Sequence, residues 1–224
     1  MSDIVLEYHD SILRTEDVAL LQDGEWINDA IIDFFYEFLE KTLETHEILY
    51  MRPALVHLIA HATDTSDFSS ALPSDLPHRQ LLFIPVNDNI GEGVGGSHWS
   101  LMVFHRNSNT FYYYDSIRDL NLKHAEHTAK RFAKVLKLQE VRFQVMETPQ
   151  QSNGSDCGIY VISVTELLSK RLLNIIEDKV TYNFEGFWTA HDHEVVQPSV
   201  ERQRVRNLIF ELAREGQTPT KTNP

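Results

Sequence analysis

The sequence predicts an α+β fold, because helical and strand patterns occupy different parts of the chain. Apolar residues recur with a helical period towards both ends, over 28–44 and 199–214. Between them, residues 80–115 contain three apolar, strand-like runs separated by a glycine-rich loop and a polar turn. Because strands and helices do not alternate regularly, we expect one central sheet with helices packed around it.

The first predicted element is a strand at 4–8. Asn28 is a favoured N-cap residue, so a helix is expected from there to about Glu44. Pro53 suits the first turn of a second helix, which ends near Ala62, and two prolines indicate a loop over 73–78. The remaining elements, in order, are strands at 80–86, 98–105 and 110–115, a helix at 122–138, a strand at 141–146, a helix from Cys157 to about Leu173 and a helix at 199–214.

The composition is that of an ordinary globular protein: of 224 residues, 42% are hydrophobic and 24% are charged. We expect a single domain over 1–214 and a disordered tail over 215–224. The sequence contains no apolar run long enough to span a membrane, and its first ten residues lack the pattern of a secretory signal peptide. A single cysteine fits a reducing compartment, the cytoplasm or the nucleus, and we expect a monomer.

The charge balance argues against a nucleic-acid partner. Lys and Arg total 20 and Asp and Glu total 33, so the net charge is −13 and no excess of basic residues is available to neutralise phosphates. Residues 1–50 hold 13 acidic and two basic residues, which gives −11 for this segment alone. Such a segment is either a solvated, solubilising face or a docking surface for a basic partner.

His98 and Asp115 are predicted to meet at one end of a hairpin. If Arg106 and Asn107 form a two-residue turn, His98 lies directly opposite Asp115. A register moved by two residues puts Asp115 opposite Ser100 instead, one diagonal step from His98. In either register a carboxylate beside the imidazole would orient the ring and stabilise its charged form.

Cys157 follows a polar, turn-rich segment and opens an apolar helix. The positive end of the helix dipole and a nearby imidazolium both favour the thiolate, which is the nucleophilic form. Gly158 is expected to leave room for a substrate backbone close to the sulfur. Gln151, in the preceding loop, is a candidate to donate its amide N–H to an oxyanion, together with the backbone N–H of Cys157.

Three segments together carry a resemblance to a known family. They are His98-Trp99-Ser100, the pair Asp115-Ser116, and the run from Pro149 to Gly158 that contains Gln151, Asp156 and Cys157. In this order they resemble the Ulp/SENP family of ubiquitin-like-protein cysteine proteases. Trp26-Ile27-Asn28-Asp29 resembles the segment that precedes the first long helix in that family, and the region 86–101 is similar to its short deneddylase branch.

The resemblance implies a papain-like fold with a triad in the order His, Asp, Cys. It implies Cys157 as nucleophile, His98 as base, Asp115 as the residue that orients His98, and Gln151 as oxyanion donor. It further implies that Trp26 and Trp99 flank the Gly-Gly tail of a modifier and that Asp29 contacts this tail. The expected activity is removal of the neddylation modifier from conjugates such as cullins, or processing of its precursor, and no cofactor is required.

Alternative functions remain open at this stage. The same chemistry would serve SUMO or, less readily, ubiquitin, because a few contacts to the modifier's tail decide specificity. A module that binds a ubiquitin-like protein without cleaving it and an acyltransferase with a Cys-His pair are further alternatives. A metal site is not predicted: His57 and His61 are four residues apart but lack the glutamate of a zinc protease, and His191-Asp192-His193 has no companion ligand at a suitable spacing.

Overall fold

The computed structural model describes residues 3–62, 68, 72–89, 95–178, 184–191 and 197–216. The strands are β1 (Ile4–Tyr8), β2 (Ser11–Arg14), β3 (Ile48–Tyr50), β4 (Leu81–Asn87), β5 (Trp99–His105), β6 (Thr110–Tyr114) and β7 (Arg142–Val145). The helices are α1 (Thr15–Ala19), α2 (Asp29–Leu43), α3 (Pro53–His61), α4 (Leu122–Val135), α5 (Cys157–Asp178), α6 (Phe184–Phe187) and α7 (Pro198–Gly216).

A mixed five-stranded sheet forms the centre of the molecule, with strand order β3-β4-β5-β6-β7. The inner pairs β4–β5 and β5–β6 are antiparallel, whereas β3 and β7 pair in parallel with their neighbours. Strands β1 and β2 form a separate hairpin that packs against α7 and α2. The predicted α+β class, with a central mixed sheet flanked by helices, is confirmed.

Each face of this sheet holds its own hydrophobic core. Because successive side chains of a strand point to opposite faces, Phe83 and Val103 pack with α2 and α5, whereas Ile84 and Phe104 pack with α3 and α4. The central strands are therefore almost continuously apolar, and polar groups at their ends stand out from this pattern. His98 and Asp115 lie at two such ends, immediately before β5 and after β6.

The first long helix begins where its N-cap predicts. The Oδ1 atom of Asn28 accepts a hydrogen bond from the backbone N–H of Ile31 at 3.2 Å, and its amide donates to Asp17 Oδ1 at 2.7 Å. One side chain therefore caps α2 and joins its start to α1. Helix α3 begins at Pro53, as predicted.

The predicted two-residue hairpin turn is wrong, and the alternative register is correct. His105 pairs with Thr110 and Leu101 with Tyr114, so Ser100 is the residue next in line to face Asp115. The turn spans four residues because the N–H of Asn109 closes it onto the carbonyl of Arg106 at 3.0 Å. Asn109 adopts a left-handed backbone conformation with φ 49°, which asparagine tolerates better than most residues.

Other differences involve short elements and helix ends. Strand β2 was not predicted, and neither were strand β3, with three residues, and helices α1 and α6, with five and four residues, which are too short to show alternation or a helical period. A 3₁₀ turn at Leu76–His78 lies in the predicted proline loop, and α5 extends to Asp178. Glu215 and Gly216 end helix α7 rather than start a tail.

Parts of several predictions fall outside the described residues, namely 217–224 of the tail and 90–94 of the glycine-rich loop. Among the described helices, none combines the length and apolar character that crossing a membrane requires.

Replacing Asn28 with Ala should lower the free energy of unfolding by about 1–2 kcal/mol, because an N-cap bond and a bond to Asp17 are lost together. Urea denaturation measures this directly. The matched control is Asn207→Ala on the exposed face of α7, which should change the midpoint little. Equal midpoints for Asn28→Ala and the wild type would show that the cap contributes nothing.

Candidate active site

A buried ion pair joins the ends of β5 and β6. The Nε2 atom of His98 lies 2.5 Å from Oδ1 of Asp115, and both side chains are almost inaccessible to solvent. The two residues flank neighbouring antiparallel strands, His98 just before β5 and Asp115 just after β6, so the diagonal placement expected from the corrected register brings them into contact. The predicted His–Asp interaction is present in the structure.

Four donors hold the Asp115 carboxylate. Besides His98, the hydroxyl of Tyr113 donates to Oδ2 at 2.7 Å, and the backbone N–H groups of Ile117 and Asn121 donate at 3.0 Å each. Burial alone would raise the pKa of Asp115, but these hydrogen bonds outweigh burial and hold the pKa below its usual value. The side chain is therefore a carboxylate at neutral pH.

The environment of His98 favours an imidazolium. Burial alone would lower the pKa of His98, but Asp115 and Cys157 stabilise the charged ring more strongly and raise its pKa to about 9. Because Nε2 is engaged by Asp115, Nδ1 is the nitrogen left for Cys157. Nδ1 is buried and has no conventional hydrogen-bond partner among the described residues.

Cys157 is the first residue of α5 and the only cysteine in the sequence. The turn before it is fixed by Asn153, whose Oδ1 accepts the N–H groups of Ser155 and Asp156 at 3.0 and 3.1 Å. The side-chain amide of Asn153 donates in return to Asp156 at 2.7 Å. The sulfur therefore lies at the positive end of a 22-residue helix, held by a rigid turn.

A pocket of about 600 Å³ opens beside this pair. Five of the seven residues predicted from the sequence line it, namely Trp26, Asp29, His98, Trp99 and Cys157. Asp115, also predicted, lies behind His98 and contacts it directly.

The two tryptophans of the pocket differ in exposure. Trp26 is half exposed, whereas Trp99 is partly buried and donates its indole N–H to the carbonyl of Ile27 at 3.2 Å. Asp29 is exposed in the first turn of α2. Of the two indoles that line the pocket, Trp99 is therefore held by a hydrogen bond and Trp26 is accessible to solvent.

Gln151 lies outside this pocket. Its Oε1 atom accepts from the hydroxyl of Ser116 at 2.7 Å, and its Nε2 donates to the carbonyl of Asn153 at 2.7 Å. The amide thus bridges its own loop and Ser116, the residue that follows Asp115. An oxyanion role for Gln151 requires Nε2 to exchange the Asn153 carbonyl for a substrate oxygen.

The predicted role of Gly158 needs correction. A Cβ at this position would lie 2.3 Å from Cγ1 and 2.7 Å from Cδ1 of Ile27. The space that a side chain at Gly158 would occupy is filled by Ile27 instead of being open to a substrate backbone. The glycine permits close contact between the start of α5 and the segment that carries Trp26.

Asn121 was missed by sequence reasoning. Its fully buried amide donates to the carbonyls of His98 at 3.0 Å and Val86 at 3.2 Å, while its backbone N–H binds Asp115. One residue therefore holds both members of the ion pair. Its position directly before α4 is typical of a helix cap, so nothing in the local pattern indicates this second role.

Asp88 was also missed. Its carboxylate accepts hydrogen bonds from the backbone N–H and hydroxyl of Ser97 at 2.6 and 2.5 Å and from the backbone N–H of His98 at 3.0 Å. The two ends of the glycine-rich loop are thereby joined at His98. The sequence offers no indication of this contact, because the loop closes over nine residues.

The histidine pairs do not form a metal centre within the described residues, where no group of three or more His, Cys, Asp or Glu side chains could hold an ion. The imidazole rings of His57 and His61 on α3 contact each other in a tilted arrangement, with centroids 4.4 Å apart. Asp192 and His193 lie outside the described residues.

Comparison with known proteins identifies relatives over most of the chain. The sequence model of the Ulp1 protease family, C-terminal catalytic domain, matches residues 25–198. Sentrin-specific protease 8 of Rattus norvegicus is 36% identical over 179 residues, which cover 77% of this chain and 82% of that protein. NEDD8-specific protease 1 of Arabidopsis thaliana is 29% identical over 220 residues and covers 96% of both chains.

Solved structures share the fold. A structure described as a de-sumoylating protease superposes with a TM-score of 0.69 at 19% identity, covering 96% of this chain and 92% of that one. The C-terminal Ulp1 protease domain in complex with Smt3, the yeast orthologue of SUMO, gives a TM-score of 0.63 at 20% identity, covering 95% and 89%. At these identities the likeness concerns the fold alone.

Replacing Asp115 with Asn should bring the pKa of His98 well below 9. The anionic partner is lost, while burial, which disfavours the imidazolium, remains. The imidazole resonances of His98, followed by NMR across a pH titration, measure the change. The control is Asp119→Asn, an exposed carboxylate four residues away, which should leave His98 unaltered. An unchanged His98 pKa in Asp115→Asn would contradict the assignment of its cause.

Replacing Gly158 with Ala should lower the free energy of unfolding by about 1–3 kcal/mol, because the new methyl group overlaps Ile27. Gly154→Ala is the matched control, since a Cβ there meets no atom within 4 Å. Chemical denaturation of both variants provides the comparison. If both variants denature at the same midpoint, the contact between α5 and Ile27 is not tight.

Proposed function

The chain belongs to the Ulp1 protease family, a family of cysteine proteases, and from this premise we propose that it cleaves after the C-terminal Gly-Gly of the modifier NEDD8. The substrates would be isopeptide conjugates to lysine, cullins among them, and the modifier's precursor. The observation that carries the proposal is a buried His98–Asp115 pair and Cys157 at one pocket that also has tryptophan walls. The enzyme would act as a monomer in the cytoplasm or nucleus.

Cys157 is the proposed nucleophile and His98 the proposed acid and base. The thiolate attacks the carbonyl carbon of the terminal glycine, and the carbonyl electron pair moves to oxygen. The backbone N–H of Cys157 and the amide of Gln151 would stabilise this oxyanion. As the C–N bond breaks, the imidazolium gives its proton to the leaving lysine amine.

A thioester between the modifier and Cys157 remains after this step. Water attacks the thioester while His98 accepts one of its protons, and collapse releases the modifier's carboxyl group, which loses its remaining proton to solvent. The sulfur leaves as a thiolate, and the imidazolium is restored beside it. The raised pKa of His98 supports this role, because the ring must hold a proton at neutral pH until the amine departs.

The pocket beside Cys157 suits a tail without side chains. Trp26 and Trp99 would flank the two glycines, since flat indoles can form a channel too narrow for a Cβ. Asp29 is the proposed acidic contact to the tail. The exposed carboxylates Asp23 and Glu25 lie just before Trp26, so the acidic N-terminal segment continues to the rim and favours a basic partner.

NEDD8 is proposed as the modifier on the strength of the relatives. Proteins of Arabidopsis thaliana and Schizosaccharomyces pombe that are named NEDD8-specific proteases match 93–96% of the chain at 29–35% identity. SUMO is the alternative within the same chemistry. A module that binds a modifier without cleaving it is the alternative outside it.

Incubation with NEDD8, SUMO or ubiquitin, each carrying an electrophile in place of its last carboxyl group, tests the proposal. We expect a covalent adduct with NEDD8 and none with Cys157→Ala, because the sulfur forms the bond. Mass spectrometry of the intact chain measures adduct formation. An adduct with SUMO alone would contradict the modifier proposed, and binding without an adduct would contradict the protease proposal.

A further inference from the structure

Arg202 of α7 is a buried cation outside the catalytic pocket. Only 1% of the Arg202 surface is exposed to solvent. No residue of α7 lines the pocket beside Cys157. It also lies beyond residues 25–198, which the family model matches. A buried guanidinium is unfavourable unless its donors are satisfied, so its partners show what it holds in place.

The first set of partners is the turn before the nucleophile. Nε and Nη2 of Arg202 donate to Oδ1 of Asp156 at 3.0 and 2.8 Å, and Nη2 also donates to the carbonyl of Ser155 at 3.1 Å. These two residues immediately precede Cys157. The guanidinium therefore fixes the approach of the chain to the start of α5.

The second set of partners is the loop before Trp26. Nη1 donates to the carbonyls of Leu20 and Gln22 at 2.9 and 3.0 Å, and Nη2 donates to the carbonyl of Glu25 at 2.7 Å. With the contacts to Asp156 and Ser155, all five guanidinium donors are used. A lysine has three donors on one nitrogen and could not serve both segments.

Both segments lead into residues that line the pocket. Trp26 follows Glu25, and Cys157 follows Asp156, so each pocket residue is one position from a group that Arg202 binds. Ile27 packs against the start of α5 at Gly158. Besides this contact, Arg202 joins the two segments by hydrogen bonds.

We propose that Arg202 is a positioning residue that sets the separation between Trp26 and Cys157, and thereby determines how well the modifier's tail binds. The part that concerns the tail rests on the proposed function. The part that concerns the separation is independent of it, because it follows from the contacts alone. A residue that merely stabilised α7 would affect unfolding without changing the pocket.

The test compares Arg202→Lys with Arg204→Lys. Arg204 lies on the same helix but binds Glu201 and Glu166 instead of the two pocket segments, so its variant reports the general cost of losing a guanidinium there. Because Cys157 is the only cysteine of the 224-residue chain, bimane can be attached to it alone. The quenching due to Trp26 is the difference in bimane fluorescence between each protein and the same protein carrying Trp26→Phe.

We expect Trp26-dependent quenching to fall at least about twofold in Arg202→Lys and to stay unchanged in Arg204→Lys, because contact quenching depends on separation. With NEDD8 carrying a C-terminal coumarin amide, KM should rise about tenfold in Arg202→Lys, while the rate at which iodoacetamide alkylates Cys157 changes less than about twofold. Equal quenching in the two variants, or a fall in alkylation with KM unchanged, would overturn the proposal.

Two further outcomes are kept distinct. If Arg202→Lys does not fold, Asp156→Asn replaces it, since it weakens the same contact while retaining the shape of the side chain, and the same reduction in quenching is expected. If the wild type cleaves no modifier but quenching still falls in the variant, the proposed function fails and the positioning role of Arg202 stands.

Discussion

The charge pair between His98 and Asp115 determines much of the surrounding structure, because two ionised groups are buried there at the end of an apolar sheet. Removing both charges from water is costly unless further hydrogen bonds compensate. Tyr113, Ile117 and Asn121 supply those bonds to the carboxylate. The loop that leads from β6 into α4 therefore curls around Asp115, and its shape follows from the need to satisfy one carboxylate.

The same constraint connects the site to the helices around the sheet. Asn121 binds the carboxylate with its backbone and the carbonyl of His98 with its side chain, so one residue links the start of α4 to the start of β5. On the other side, Cys157 is fixed by a turn whose Asp156 is held by α7. Residues that supply the chemistry thus depend on elements that are far apart in the sequence.

Local patterns were sufficient to predict most elements, and together with the family resemblance they indicated five of the pocket residues. Asn28 and Pro53 mark helix starts by their own chemistry, and the apolar runs of β4, β5 and β6 reflect burial on both faces. The hairpin register was not decided in this way. Two turn lengths fit the same residues, and the left-handed conformation of Asn109 that selects the longer turn is a property of the folded backbone.

The sequence by itself determined which groups are available for the chemistry, because residue type and order fix the candidates for nucleophile, base and carboxylate and the tryptophans that accompany them. Only the tertiary structure decided how these groups are supported. Gly158 proved to accommodate Ile27, Gln151 to bind Ser116 and its own loop, and Arg202 to bind carbonyls 180 and 182 residues earlier in the chain. Such contacts depend on distances between elements that pack against each other, and no local period or propensity records them.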